Sequence, residues 1–204
     1  LDDYTGSLAD IAMYYWKRDL RTDLTNNIRT TSANPSFWQN MSTFTLSSPD
    51  IPSGGCVPQH FEFDGFGCSG QNQSPVLRWS GAPAETRSFA VHVYAPDAPT
   101  GSGFWHWYVI DLPASVSELP ANAGAKGGAH LPAGARQIRN DYGQYAWGGM
   151  CPPPGDKPHR YIFTVHALSV ERIDVPDDAP AALTGFMVNA HTLAKASFTA
   201  TYGR

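Results

Sequence analysis

Two histidines stand where turn-forming loops run into apolar strands. His106 lies between Trp105 and Trp107, directly after the run Asp97-Ala98-Pro99-Thr100-Gly101-Ser102-Gly103. His159 opens His159-Arg160-Tyr161 after a Gly/Pro-rich stretch from Tyr142 to Gly155. An imidazole can donate to an anion, and a charge-assisted hydrogen bond of that kind contributes about 1.5–3 kcal/mol. If the two strands are neighbours, the rings converge on one small anion. If they are not, each ring donates to a nearby carbonyl, and spacing alone leaves both readings open.

Other chemistry is weaker. Gly67-Cys68-Ser69-Gly70-Gln71 lacks the last glycine of a nucleophile elbow, and no helix is predicted after it. Ser102 near His106 is the one hydroxyl-imidazole arrangement that a hydrolase would have to use. Gly124-Ala125-Lys126-Gly127 has the composition of a phosphate loop without its Gly-Lys-Ser/Thr triplet. The helical His-Glu-x-x-His pattern of zinc hydrolases is absent, and no metal or cofactor is expected. Of the three cysteines, Cys56 and Cys68 bracket eleven residues and form the candidate disulfide pair, with Cys151 as the odd thiol. Reduced thiols in a cytosolic protein are the alternative. A periplasmic or secreted location is preferred to a cytoplasmic one.

The elements that must carry these residues are predominantly β. The chain has 204 residues, with 19 glycines and 17 prolines, only 16% charged residues and 12% aromatics, as expected of a folded, turn-rich protein. A net charge of −4 with scattered basic residues gives no electrostatic footprint for nucleic acid. No apolar run reaches the ~18–20 residues that a membrane-spanning helix needs, and Leu1-Asp2-Asp3 is not the basic start of a signal peptide. Residues 59–63, 75–79, 88–94, 104–112 and 160–168 read as strands bounded by turn residues. In the last, Tyr161, Phe163, Val165 and Ala167 share one face, and Ile162, Thr164 and His166 share the other, predicting a sheet with a core side and a half-covered back. Residues 121–135 read as a mobile loop. A helix capped by Asp177 or Asp178 is expected through Leu183, Phe186, Met187, Ala190, Leu193 and Ala194. Residues 8–21 have helical spacing, and the polar stretch 23–40 reads as a linker, so a boundary is placed between an N-terminal extension, 1–40, and a domain, 41–204.

From Thr43 onward the chain resembles the phosphatidylethanolamine-binding protein family, in its bacterial Raf-kinase-inhibitor-like branch. The residues that carry the likeness are Ser74-Pro75-Val76-Leu77-Arg78-Trp79-Ser80-Gly81, Pro96-Asp97-Ala98-Pro99, Trp105-His106-Trp107 and Cys151-Pro152-Pro153-Pro154-Gly155-Asp156-Lys157-Pro158-His159-Arg160-Tyr161. The resemblance implies an antiparallel β-sandwich with a C-terminal helix and a small anion pocket for phosphate-like groups or phospholipid headgroups. Its residues would be His106 and His159 as donors, Pro153 as wall, the Gly148-Gly149 backbone as floor, and Asp97 and Pro99 shaping the loop. It implies a non-enzymatic binding protein; a protease or kinase inhibitor is the alternative, and a homodimer is expected by analogy.

Two departures bear on that pocket. The family loop usually reads Asp-Pro-Asp-Ala-Pro, whereas here Ala95 holds the first position. Without that carboxylate the histidines should be less firmly oriented and the pocket more cationic. Trp147 and Met150, in Ala146-Trp147-Gly148-Gly149-Met150, are expected to narrow the mouth. Upstream, residues 9–17 and 37–41 resemble a fragment of type IV pilus tip-associated proteins.

Overall fold

Alternation of large apolar and smaller residues builds two antiparallel sheets whose inner faces meet. The protein is described by a computed structural model over residues 43–204, so the expected helix at 8–21, the linker and the boundary at 41 lie outside the described residues. The smaller sheet contains β1 (Thr45–Ser47), β2 (Leu77–Ser80) and β5 (Glu118–Leu119), in the order β1-β2-β5. The larger contains β3 (Ser88–Ala95), β4 (Phe104–Pro113), β6 (Arg136–Gln137), β7 (His159–Leu168) and β8 (Thr192–Tyr202), in the order β6-β4-β3-β7-β8.

Leu46, Leu77, Trp79 and Leu119 from the small sheet pack against Phe89, Val91, Val93, Val109, Phe163 and Phe198 from the large one. Helix α1 (Ala181–Ala190) covers part of the other side of the large sheet, over Ala90, Tyr108, Ile110 and Leu168. The core face of β7 is therefore the one its alternation predicts, and its back is partly covered.

Four readings are corrected. Residues 59–63 are not a strand: Gln59–Phe61 is a 3-10 turn, because Phe61 N–H and Glu62 N–H bond back to the Pro58 and Gln59 carbonyls. Residues 121–135 form a loop of turns, as expected, anchored at one end where Ala123 is buried and Gly124 N–H donates to Ser74 Oγ while the Gly124 carbonyl accepts from Trp147 N–H. A Cβ at Gly124 would strike the Trp147 side chain, so the glycine permits that contact. The helix ends at Ala190, and Thr192–Tyr202 continues as an edge strand paired with β7. Its N-cap is Pro180 rather than an aspartate; Asp177 is engaged by Arg136 Nη1 at 3.2 Å.

The disulfide is the fourth correction. Cys68 bonds to Cys151, with Cα atoms 6.0 Å apart, and Cys56 is the free, exposed thiol. Cys56 bridges Thr201 at the end of β8, while the tight turn at Gly65–Gly67 delivers Cys68 to the start of the proline loop. Nearness in sequence misled because chain reversal, not loop length, decides which thiols meet.

One buried charge pair fixes the far end of the large sheet. Between Phe89 and Val91 the β3–β4 register slips, and Asp111 takes φ +61° in the resulting bulge. Its carboxylate accepts from Arg136 Nε at 2.7 Å and from Ile173 N–H at 2.8 Å, and Arg136 also donates to the Ile173 and Val175 carbonyls. Asp111→Ala leaves the largely buried guanidinium with only the exposed Asp177 as counter-ion and the Ile173 N–H without its acceptor, and is expected to destabilise by about 3 kcal/mol, read by denaturant unfolding.

Candidate functional site

The site forms where β3 ends between its two neighbours. Ala95, the last residue of β3, faces the core with a single methyl group and is flanked by Phe104 and His106 on β4 and by His159 and Tyr161 on β7. A small side chain between larger ones leaves a hollow. The result is a cavity of about 370 Å³, lined also by Pro99, Tyr142, Cys151 and Pro153. That volume suits a small organic ligand.

His106 enters the cavity through a backbone irregularity. Strict alternation would put it on the opposite face from Trp107, but the pairing slips between Val93 and Tyr94, which oppose Trp107 and Trp105 respectively. The extra residue in the bulge is His106, so its ring turns to the same side as Trp107 and meets Phe104 and Tyr161 at 5.0 and 5.1 Å between centroids.

His106 Nδ1 lies 2.8 Å from the Gly148 carbonyl and 3.1 Å from that of Gly149. Carbonyl oxygens only accept, so Nδ1 carries the proton, and in the neutral ring Nε2 is a bare lone pair. Glycine is required at both carbonyl positions: a Cβ at Gly148 would strike the Tyr142 ring, and one at Gly149 the backbone of Phe61 to Phe63. Tyr142, stacked on Phe63 at 4.1 Å, donates its hydroxyl to the Gly149 carbonyl as well. Burial, opposed by the two carbonyl bonds and aided by nearby His159, holds His106 down to about 4.

His159 is oriented differently. Its Nε2 lies 3.2 Å from Asp156 Oδ2 and donates to that carboxylate. The ring is 4% exposed and lines the same cavity. The expected loss of orientation at Ala95 is thus not seen: backbone carbonyls hold one histidine and Asp156 holds the other. With its value held down to about 4 by burial, His106 is neutral at pH 7, and Asp141 adds a carboxylate to the cavity lining.

Of the residues singled out from the sequence, Pro99, His106, Pro153 and His159 line the cavity. Gly148 and Gly149 stand behind His106. Asp97 turns away: it accepts from Arg160 N–H, Nε and Nη2 at 2.9, 2.8 and 2.7 Å, tying the 97–100 loop to the start of β7. Those side-chain and backbone bonds from Arg160 hold its carboxyl well below the usual carboxylate range. Trp147 and Met150 do not narrow the mouth; both are buried between the sheets, Trp147 edge-on to Trp107 at 5.8 Å. Ser102 is exposed and is not among the cavity residues, and its carbonyl accepts from the Tyr94 hydroxyl. The aromatic wall of Phe66, Phe104, Tyr142 and Tyr161 was not foreseen. The period-2 pattern of β4 and β7 could have placed Phe104 and Tyr161, whereas nothing local marks Phe66 or Tyr142.

The depressed His106 also couples stability to pH. A ring that titrates near 6.5 unfolded and near 4 folded stabilises fully above pH 6.5, and that contribution is lost as pH falls toward 4. The loss is about 3 kcal/mol. Denaturant unfolding at pH 7.5 and pH 4 should show a difference smaller by that amount in His106→Phe.

Two antiparallel sheets packed face to face, with a cavity at the strand ends that combines two oriented imidazoles and aromatic walls, define a β-sandwich with a hollow of small-ligand size. The sequence profile of the phosphatidylethanolamine-binding protein family matches residues 47–203, and the chain belongs to that family. It is 50% identical over 166 residues to the UPF0098 protein YbcL of Escherichia coli K12, covering 81% of this chain and 91% of that protein. Its identity to the UPF0098 protein YbhB of the same organism is 49% over 157 residues, covering 77% of this chain and 98% of the relative. The crystal structure of E. coli YbcL, described as a new member of the mammalian PEBP family, aligns with a TM-score of 0.77 over 79% of this chain and 98% of its own, at 51% identity. A putative PEBP homologue from Chlamydia trachomatis aligns at 0.67 and 28% identity, over 80% of this chain and 99% of its own.

Proposed function

We propose that the cavity of residues 95–106 and 141–161 takes a small ligand with a phosphate-like head and an apolar body, a phospholipid headgroup or a free phosphoester, and that the protein acts by binding it. The observation that carries this is the pairing of His106 and His159 in one aromatic-walled hollow. At neutral pH the bare His106 Nε2 accepts, so the head group must bring a hydrogen, as the P–OH of inorganic phosphate or the ammonium of an ethanolamine head does. The rings of Phe104, Tyr142 and Tyr161 then cover the carbon atoms of the ligand. The Cys68–Cys151 bond fits an oxidising compartment, in keeping with a periplasmic or secreted location.

Nuclear magnetic resonance titration tests the reading with inorganic phosphate and glycerophosphoethanolamine as separate probes. Amide shifts confined to residues 95–106 and 141–161 are expected with at least one of them. No shift with either at millimolar concentration would remove the anion site. An inhibitor of a protease or kinase would act through its outer surface, and its inhibition would survive His106→Phe. We also take residues 1–40 as a unit apart from the binding domain; limited proteolysis should remove them and leave the anion titration unchanged.

A further inference from the structure

The large sheet carries a second cavity on the face turned away from His106. Strand register sets its floor: Tyr108 on β4 pairs with His92 on β3, His92 with Thr164 on β7, and Thr164 with Ser197 on β8. Side chains at paired positions share a face, so four polar groups form one row across the sheet. His166 and Lys195, paired two residues further along, begin the next row on that face. Helix α1 covers these rows at Gly185 and Asn189, and the space left is about 290 Å³, lined also by Trp105 and Ile162.

The two imidazoles satisfy each other. Thr192 Oγ1 donates its only hydrogen to the Val188 carbonyl at 2.7 Å, so it accepts from His166 Nδ1 at 3.0 Å. His166 Nε2 is then a lone pair and accepts from His92 Nε2 at 3.1 Å. Burial holds His92 down to about 3 and His166 down to about 4, and the charge of Lys195 pushes both the same way, so that charge reaches the cavity floor. Both rings are uncharged at neutral pH. Lys195 is thus the ionised group of a lining that holds no Asp or Glu.

The Tyr108, Thr164 and Ser197 hydroxyls and the Lys195 ammonium have no hydrogen-bond or ion-pair partner among the described residues. Burial pushes the Tyr108 phenol up, so it keeps a proton to donate. Gly185 leaves room above that phenol. A Cβ there would meet only Tyr108 Oη at 3.8 Å and the Trp105 ring at 3.9 Å, both ordinary contacts, so packing does not demand a glycine that a helix interior disfavours.

We propose that this second cavity binds a small organic carboxylate. Its oxygens accept from the Lys195 ammonium and from the Tyr108 and Thr164 hydroxyls, while its apolar body lies against Trp105 and Ile162. A cation and unpaired hydroxyls with no competing carboxylate select a negative charge, and the volume limits the body to a ring or a short chain. No lining residue is shared with the first cavity, so the two sites stand or fall separately.

Nuclear magnetic resonance titration with benzoate tests this, with benzamide as the uncharged isostere. Benzoate should shift the amides of Thr164, Gly185, Asn189 and Lys195, and benzamide should bind at least about tenfold more weakly. Lys195→Gln should weaken benzoate binding about tenfold and Tyr108→Phe about fivefold; both should fold, because Lys195 is exposed and phenylalanine keeps the ring. Gly185→Leu, which fills the cavity from the helix, should abolish binding. Equal affinity for benzoate and benzamide, unchanged benzoate affinity in any of the three folded variants, or benzoate shifts at millimolar concentration that miss all four amides, overturns the proposal.

Discussion

The double variant Cys68→Ala/Cys151→Ala is expected to lose about 4–5 kcal/mol of stability, which follows from releasing a closed loop of 83 residues in the unfolded chain. For a domain of this size that corresponds to a fall in melting temperature of about 10–15 °C. The bond also joins two walls of the binding cavity, since Cys151 lines it directly and Phe66, two residues before Cys68, lines it too. Arg204 ties the same segments together by donating to the Gly67 carbonyl at 2.6 Å and the Pro152 carbonyl at 2.7 Å. The walls should consequently stay near each other without the disulfide, and ligand affinity should fall less than stability does. Thermal unfolding with and without reductant measures the first effect; an unchanged melting temperature would show that the bond does not form in the folded protein.

His106→Phe is expected to reduce affinity for inorganic phosphate by about 10- to 100-fold, the equivalent of one charge-assisted hydrogen bond. The substitution keeps an aromatic ring of similar size against Phe104 and Tyr161, so the cavity wall persists. It also removes the donor to Gly148 and Gly149, of which the Gly149 carbonyl keeps the Tyr142 hydroxyl and the Gly148 carbonyl loses its side-chain partner. A modest loss of stability therefore accompanies the loss of binding. Comparing His106→Phe with Tyr142→Phe, which removes one hydroxyl from the same carbonyl and no anion contact, separates the two effects by calorimetry.

Much of this architecture is legible in the order and type of the residues. Runs of aromatic and β-branched residues bounded by turn residues located three strands of the large sheet at 88–94, 104–112 and 160–168, and the alternation of Tyr161, Phe163, Val165 and Ala167 gave the core face of β7. Strand β8 escaped because Ala194, Ala196 and Ser197 carry too little contrast between its faces, and its pairing with β7 is decided by tertiary contact. The two cavity histidines were visible through their place beside turn residues. What brings His106 round to the cavity was not: a bulge depends on pairing with β3, and pairing register leaves no local mark. Asp97 shows the converse. Its loop was recognised, but its carboxylate serves Arg160 and not the cavity, a partnership set by the fold between residues 63 apart. The disulfide failed for the same reason, since Cys151 lies 83 residues from Cys68 and the tertiary fold alone brings them together.

In the proposed site the cavity binds an oxyanion through a His106 whose Nε2 carries no proton at neutral pH. Sulfate and phosphate separate that claim from simple charge attraction, because phosphate keeps a P–OH hydrogen at pH 7.5 and sulfate has none. The measurement is the affinity of each anion between pH 7.5 and pH 5. His106 titrates at about 4 when the cavity is empty, and a bound anion raises that value, so sulfate binding takes up a proton. Its affinity should be weak at pH 7.5 and rise by up to about tenfold per pH unit on acidification, while phosphate already binds at pH 7.5 with a shallower slope. Equal sulfate affinity at pH 7.5 and pH 5, or a sulfate slope that persists in His106→Phe, would contradict it.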